Sequence, residues 1–144
     1  MIAIASDHAG YALKQTLIDH LTAQGIQVED LGCGGEPVDY PQYAEKLGRA
    51  VAAGQYERGI LVCGTGIGMS IAANKIPGVR AALCADCYSA EMTRQHNDAN
   101  VLCLGGRVVG SELAKRIVDT YLAAGFSNGE SHIRRLGQIR KLEE

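Results

Sequence analysis

The sequence predicts an α/β domain built on a parallel sheet, and two observations carry that expectation. Short apolar runs of strand character alternate with longer stretches whose apolar residues recur at helical spacing. Near the centre, Gly59-Ile60-Leu61-Val62-Cys63 leads straight into Gly64-Thr65-Gly66-Ile67-Gly68. Such an apolar run suits a parallel strand covered on both faces, and the glycine-rich turn after it opens a helix. The arrangement expected over residues 1–144 is a single Rossmann-like three-layer α/β/α domain with a five-stranded parallel sheet and an extra C-terminal helix.

Each element follows in order. Ile2 to Ser6 is the first strand. Tyr11 to Gln24 carries Leu13, Leu17, Ile18 and Leu21 on one helical stripe, and Gly25 stops it. Gln27 to Leu31 is a second strand, followed by a loop through Pro37. Asp39-Tyr40-Pro41 opens a helix to about Ala53, with Pro41 in the first turn, where its missing N–H costs nothing. The third strand ends at Cys63, and its helix runs from Ile67 to Lys75 before Pro77-Gly78 breaks it. Val79 to Cys84 is strand four, Tyr88 to His96 a helix, and Asn100 to Leu104 strand five. Ser111 is expected to cap a helix running to Ala124. A polar linker, Phe126 to Gly129, leads to a final helix over about residues 131–143, expected to pack on a partner subunit.

Composition narrows the function. A net charge of −2 without a basic run argues against a nucleic-acid partner. No apolar run approaches the roughly 20 residues of a membrane span. The chain opens directly into a strand with no charged and apolar leader, so no signal peptide is expected. A cytoplasmic location follows, with the five cysteines as thiols.

Ligands of open parallel sheets bind outside the carboxyl ends of the strands. That rule brings Asp7-His8, the loop from Cys63 to Gly68, and Gly105-Gly106-Arg107 to one edge. The glycines let backbone N–H groups crowd round a negative charge. Cys63 sits on the rim, where the same N–H groups favour its thiolate. The plainer reading is a strand-to-helix turn with a small buried thiol. The loop is no dinucleotide fingerprint, because Met69 stands where a third glycine belongs, and no Gly-Lys-Ser/Thr of a P-loop occurs. Asp7 reads either as a helix cap or, with His8, as a pair that binds a polyol or phosphate.

Arg94-Gln95-His96-Asn97-Asp98 precedes strand five and so belongs at the amino edge, away from Cys63 within one chain. It reads as a polar helix end, with Asn97 as C-cap, or as a catalytic cluster that a second subunit presents to the glycine loop. Cys84 and Cys87 form a C-x-x-C that reads as a redox pair or half of a zinc site, but no second pair completes a zinc site. Cys33 and Cys103 read as bystanders. Arg107, Arg134, Arg135 and Arg140 suit either a phosphate clamp or, for the last three, a solvated helix face.

Several of these stretches together resemble one family. They are Asp7-His8-Ala9-Gly10, Asp39-Tyr40-Pro41, Cys63 to Gly68 with Ser70-Ile71-Ala72-Ala73-Asn74-Lys75, Arg94 to Asp98, and Gly106-Arg107-Val108-Val109-Gly110. They are similar to the type B ribose-5-phosphate isomerases, whose family also holds galactose-6-phosphate and allose-6-phosphate isomerases. The resemblance implies an aldose–ketose isomerase of the pentose phosphate pathway that works through a cis-enediolate without metal or cofactor. On the matching positions, Cys63 would be the base, Thr65 would handle hydroxyl protons, and the N–H groups of Gly64, Thr65, Gly66, Ile67 and Gly68 would hold the enediolate oxygen. His96 would open the sugar ring. Asp7, His8 and Asn97 would bind the sugar, and Arg107 with Arg134 or Arg135 its phosphate. The resemblance also implies a homodimer with sites built from both chains, and leaves a dimer of dimers open. Ser131 departs from the pattern, standing where the family carries an arginine. Ribose 5-phosphate is the expected substrate. A six-carbon 6-phosphate sugar is the alternative, and a non-catalytic sugar-phosphate sensor is the alternative of another class.

Overall fold

A computed structural model describes residues 1–144. Five strands, β1 (Ile2–Ser6), β2 (Val28–Asp30), β3 (Arg58–Cys63), β4 (Ala81–Leu83) and β5 (Val101–Gly105), form one all-parallel sheet in the order β2-β1-β3-β5-β4. The helices are α1 (Tyr11–Ala23), α2 (Tyr40–Ala52), α3 (Ile67–Ala73), α4 (Cys87–Asn97), α5 (Ser111–Ala123) and α6 (Glu130–Lys141). This is the three-layer architecture expected from the alternating pattern.

Strand alternation sorts the core into two halves. Ile2, Ile4, Ile60, Val62, Leu102 and Leu104 meet Leu13, Leu17 and Leu21 of α1, Ala90 of α4 and Ile117 and Tyr121 of α5. Ala3, Ala5, Leu61, Cys63, Val101 and Cys103 meet Leu47 and Val51 of α2 and Met69 and Ala73 of α3. Small strand residues on the second face let α2 lie close to the sheet. A Cβ on Gly59 would stand 2.4 Å from Leu47 Cδ2.

The edges differ from the sequence expectation. β2 and β4 are shorter than predicted, and each is bonded on one side only. Asn74 explains the late start of β4. Its side chain accepts from Ala81 N at 2.8 Å and donates to Ala81 O at 2.9 Å, so the chain turns back after Ala73 and α3 stops short of Lys75. Ser111 is not the cap of α5. Gly110 supplies the extended backbone a cap requires, and Ser111 is already helical. Asn97 is likewise not the cap of α4 but its last helical residue; Asp98 is the cap, in the left-handed region at φ 45°. Asp86 caps the start of α4 by accepting from Ser89 N at 2.7 Å. The final helix is one residue longer at its start than predicted and lies against α4 of its own chain, with none of its residues buried. No helix is long and apolar enough to cross a membrane.

Candidate active site

The register of the three central strands sets the site. Ser6 pairs with Val62 and Cys63 with Gly105, so β1, β3 and β5 end level with one another. Backbone bonds then weld the three loops. Asp7 N donates to Val62 O at 3.2 Å, Gly106 N to Cys63 O at 2.8 Å, and Arg107 N to Gly64 O at 2.9 Å. The result is a cavity of about 460 Å³ lined by Asp7, His8, Ala9, Tyr40, Cys63, Gly64, Thr65, Ile67, Gly68, Ile71 and Arg107. Its size suits a small phosphorylated metabolite.

Cys63 is buried, and it is the one thiol of the five that lines this cavity. Gly66 N donates to its sulfur at 3.1 Å. Only glycine fits at position 66. Its φ is +79°, and a Cβ would stand 2.5 Å from Leu83 Cδ1 and 2.9 Å from the carbonyl carbon of Leu104. At position 68 a Cβ would stand 2.5 Å from the Tyr40 ring, which would have to shift to admit it. Ile67 N is taken by Thr65 Oγ1 at 3.2 Å, whereas the amides of Gly64, Thr65 and Gly68 make no hydrogen bond within the chain. Unbonded backbone donors beside a sulfur are what a developing oxyanion needs.

The surrounding polar groups differ in freedom. Asp7 is buried, and one carboxylate oxygen accepts from Gly10 N at 3.0 Å, so it does brace the turn before α1 while its other oxygen stays free. His8 is exposed; Val38 N donates to its Nδ1 at 3.3 Å, which leaves Nε2 toward solvent. Arg107 is exposed and has no carboxylate partner, and its guanidinium approaches Gly64. An unpaired guanidinium on a cavity wall is a ready phosphate ligand. The C-x-x-C pair lacks these features. Burial, then Asp86, pushes the Cys84 thiol up to about 11, so it remains protonated. Burial likewise pushes Cys103 up.

His96, Asn97, Arg134 and Arg135 do not reach this cavity. Asn100 O accepts from Gly59 N at 2.9 Å, which fixes the end of α4 beside the amino end of β3, at the opposite sheet edge. There the His96 and His132 ring centroids lie 4.3 Å apart. Ser127 Oγ bonds His132 Nδ1 at 2.8 Å. Partial burial, then His96 and Arg135, hold His132 below the ordinary imidazole range. Arg134 and Arg135 are exposed and unpaired on α6. One chain therefore carries two separated halves: a thiol with free amides at one edge, and imidazoles with free arginines at the other. Sequence reasoning missed Tyr40 and Ile71 as cavity walls; both sit in stretches quoted for the resemblance, yet their contacts depend on how α2 meets α3.

The sequence model of the Ribose/Galactose Isomerase family matches residues 2–139. The chain belongs to that family. This member is 49% identical over 144 residues to ribose-5-phosphate isomerase B of Escherichia coli, covering 99% of this chain and 96% of that protein. It superposes on ribose-5-phosphate isomerase B of Clostridium thermocellum with a TM-score of 0.96 at 53% identity, covering 99% of this chain and 96% of that one. The Mycoplasma genitalium ribose-5-phosphate isomerase B structure, which holds ribulose 5-phosphate, matches with a TM-score of 0.94 at 42% identity, covering 99% of this chain and 95% of that one.

Proposed function

We propose that this family member interconverts ribose 5-phosphate and ribulose 5-phosphate in the cytoplasm, with Cys63 as the proton-transfer base. The observation that carries the reading is a thiol lining a cavity beside unbonded backbone amides and an unpaired arginine. In the open-chain aldose, the Cys63 thiolate takes the proton from C2. The electron pair left behind makes the C1–C2 double bond of a cis-enediolate, and its negative charge settles on oxygen. The amides of Gly64, Thr65 and Gly68 hold that oxygen. Thr65 relays the hydroxyl proton from O2 to O1, and the Cys63 thiol returns its proton to C1. Asp7 and His8 bind sugar hydroxyls, and Arg107 binds the phosphate. No step in this scheme calls on a cofactor.

Ring opening needs an acid–base group besides Cys63, and the one imidazole of the cavity within one chain, His8, is assigned to the sugar hydroxyls. We assign it to His96 of a second copy, with Asn97 beside it and Arg134 or Arg135 adding to the phosphate clamp. The exposed large apolar residues support such a homodimer. Seven of the eleven exposed large apolar residues, Tyr40, Ile67, Ile71, Leu83, Tyr88, Val108 and Leu113, lie at the carboxyl ends of strands or in the first two turns of the helices that follow; the others are Met1 and, in or just after α6, Ile133, Ile139 and Leu142. A surface this apolar round a cavity mouth suits a protein partner. The five unpaired thiols suit the reducing cytoplasm.

The test is ribulose formation from ribose 5-phosphate, in EDTA and without added cofactor, alongside a six-carbon 6-phosphate aldose. Turnover of the pentose supports the reading. Turnover of the hexose alone moves the substrate and keeps the chemistry. Turnover of neither overturns it in favour of a sugar-phosphate sensor.

A further inference from the structure

We propose that Asp98 is a positioning residue for ring opening: its carboxylate, gripped by Arg94 and Arg80, fixes the helix break that sets the direction of His96 and Asn97. The inference rests on the reading of His96 given above.

The break itself is unusual in its residue. Asp98 has φ 45° and ψ 44°, and Ala99 N reaches back to Thr93 O at 3.1 Å, closing the last turn of the helix. Glycine takes this conformation at no steric cost, whereas an aspartate must be held in it. Two arginines hold it. Arg94 Nη1 donates to Asp98 Oδ1 at 2.8 Å, Arg80 Nη2 to Asp98 Oδ2 at 3.4 Å, and Arg80 Nε to the Asp98 carbonyl at 2.9 Å. Arg94 is buried, and its Nη1 also donates to Ala99 O at 2.7 Å and its Nε to Ala124 O at 3.4 Å. Tyr121 Oη also donates to Ala99 O at 3.2 Å, and Ser127 N donates to Gln95 O at 3.0 Å.

The backbone on both sides of His96-Asn97 is thus tied to α5, to the α5–α6 linker and to the loop before β4. The side chains of His96 and Asn97 are exposed and make no hydrogen bond within the chain. A rigid backbone under free side chains is the arrangement for groups that must meet a substrate arriving from another surface. Ending the helix would not by itself require a carboxylate, since glycine would serve. The anion also offsets the two guanidinium charges of Arg94 and Arg80.

Two variants separate these roles. Asp98→Asn keeps the shape and loses the charge. Asp98→Gly keeps the left-handed break and loses the grip. Two readouts separate ring opening from proton transfer. Net conversion of ribose 5-phosphate needs both steps. Exchange of the C1 hydrogen of ribulose 5-phosphate in D2O needs the proton transfer at Cys63 but no ring opening, because esterified O5 prevents that ketose from closing a five-membered ring. Both variants are expected to fold and to lower kcat for ribose 5-phosphate at least about tenfold, a share of the 10²–10⁴ that a lost acid–base group costs. KM and the C1 exchange rate should stay within about threefold. Native kcat in Asp98→Gly would overturn the proposal, since only the break would then matter. Equal losses of conversion and exchange would overturn it too, as a general disturbance of the site. A native protein that neither converts nor exchanges would remove the isomerase reading itself, and the proposal with it.

Discussion

Cys63→Ala separates chemistry from fold, because its two costs differ in size. The side chain is buried in the cluster formed with Leu61, Met69, Ala73 and Cys103. Alanine removes one sulfur and the 3.1 Å hydrogen bond from Gly66 N. The hydrogen bond is worth about 0.5–1 kcal/mol, and the lost sulfur contact about another 1 kcal/mol. A loss of about 1–2 kcal/mol is small against a domain stability of about 5–15 kcal/mol. At roughly 4 °C per kcal/mol, Tm should fall by about 4–8 °C and the fold should persist at 25 °C. Turnover should fall far more. A positioned acid–base group contributes about 10²–10⁴ in rate, or roughly 3–5 kcal/mol of barrier. The other bases on the cavity wall, Asp7 and His8, bind sugar hydroxyls in the proposed scheme. The assay is ribulose formation from ribose 5-phosphate in EDTA, paired with C1 exchange in D2O and a thermal melt of the same sample. Both reactions should vanish while the melt stays cooperative. A variant that keeps more than about a tenth of native turnover refutes the base assignment, because general acid–base catalysis cannot be worth so little.

Five further variants test the rest of the site and its support. His96→Ala should abolish ribose 5-phosphate conversion while sparing C1 exchange of ribulose 5-phosphate; parallel losses in the two assays would make His96 structural. Arg107→Ala should leave Tm unchanged, since the guanidinium has no carboxylate partner, and raise KM about tenfold to a hundredfold, from the roughly 1.5–3 kcal/mol of a charge-assisted bond to phosphate; steady-state kinetics decides. The fully buried Lys14 donates to Asp30 at 2.7 Å and to the Cys33 carbonyl, so Lys14→Met should cost about 1–2 kcal/mol for the carbonyl left unbonded. Asp30→Ala should cost more, about 3 kcal/mol, the low end for an orphaned buried charge because Asp30 is 39% exposed, and the two urea midpoints give the order directly. Tyr88→Glu places an acid in the first turn of α4, where the helix dipole welcomes it, at an exposed site on the apolar rim. The variant should fold, sediment as a monomer and lose activity; an active dimer would take Tyr88 out of the contact.

How far the sequence could be read depended on what decides each feature. β1, β3 and β5 are covered on both faces, so their apolar runs announce them, and the parallel-sheet rule then brings Asp7, Cys63 and Arg107 to one edge. The ends of elements were less legible, because side chains from elsewhere set them. Asn74 pins Ala81 across seven residues and shortens both α3 and β4. Two arginines hold Asp98 left-handed, and so α4 ends one residue after the Asn97 cap that the sequence suggested. The same limit applied within the site. A glycine-rich loop suggests an anion hole, but which amides stay unbonded depends on Thr65 Oγ1 and Cys63 Sγ capturing the amides of Ile67 and Gly66.

The most telling feature was nonetheless available from order alone. A residue that precedes a parallel strand lies at the amino edge, and one that follows a strand lies at the carboxyl edge. His96 precedes β5 and Cys63 ends β3, so one chain cannot bring them together without unfolding the sheet between them. The structure keeps them on opposite edges, with His96 beside His132 and Cys63 in its cavity. If both act on one sugar, two copies must meet. The apolar rim on the carboxyl edge and the exposed His96 and Asn97 on their rigid backbone are the two surfaces such a meeting would join. Two-fold symmetry would satisfy both at once, since each copy offers one surface of each kind, and every site would then take its base from one chain and its ring-opening group from the other.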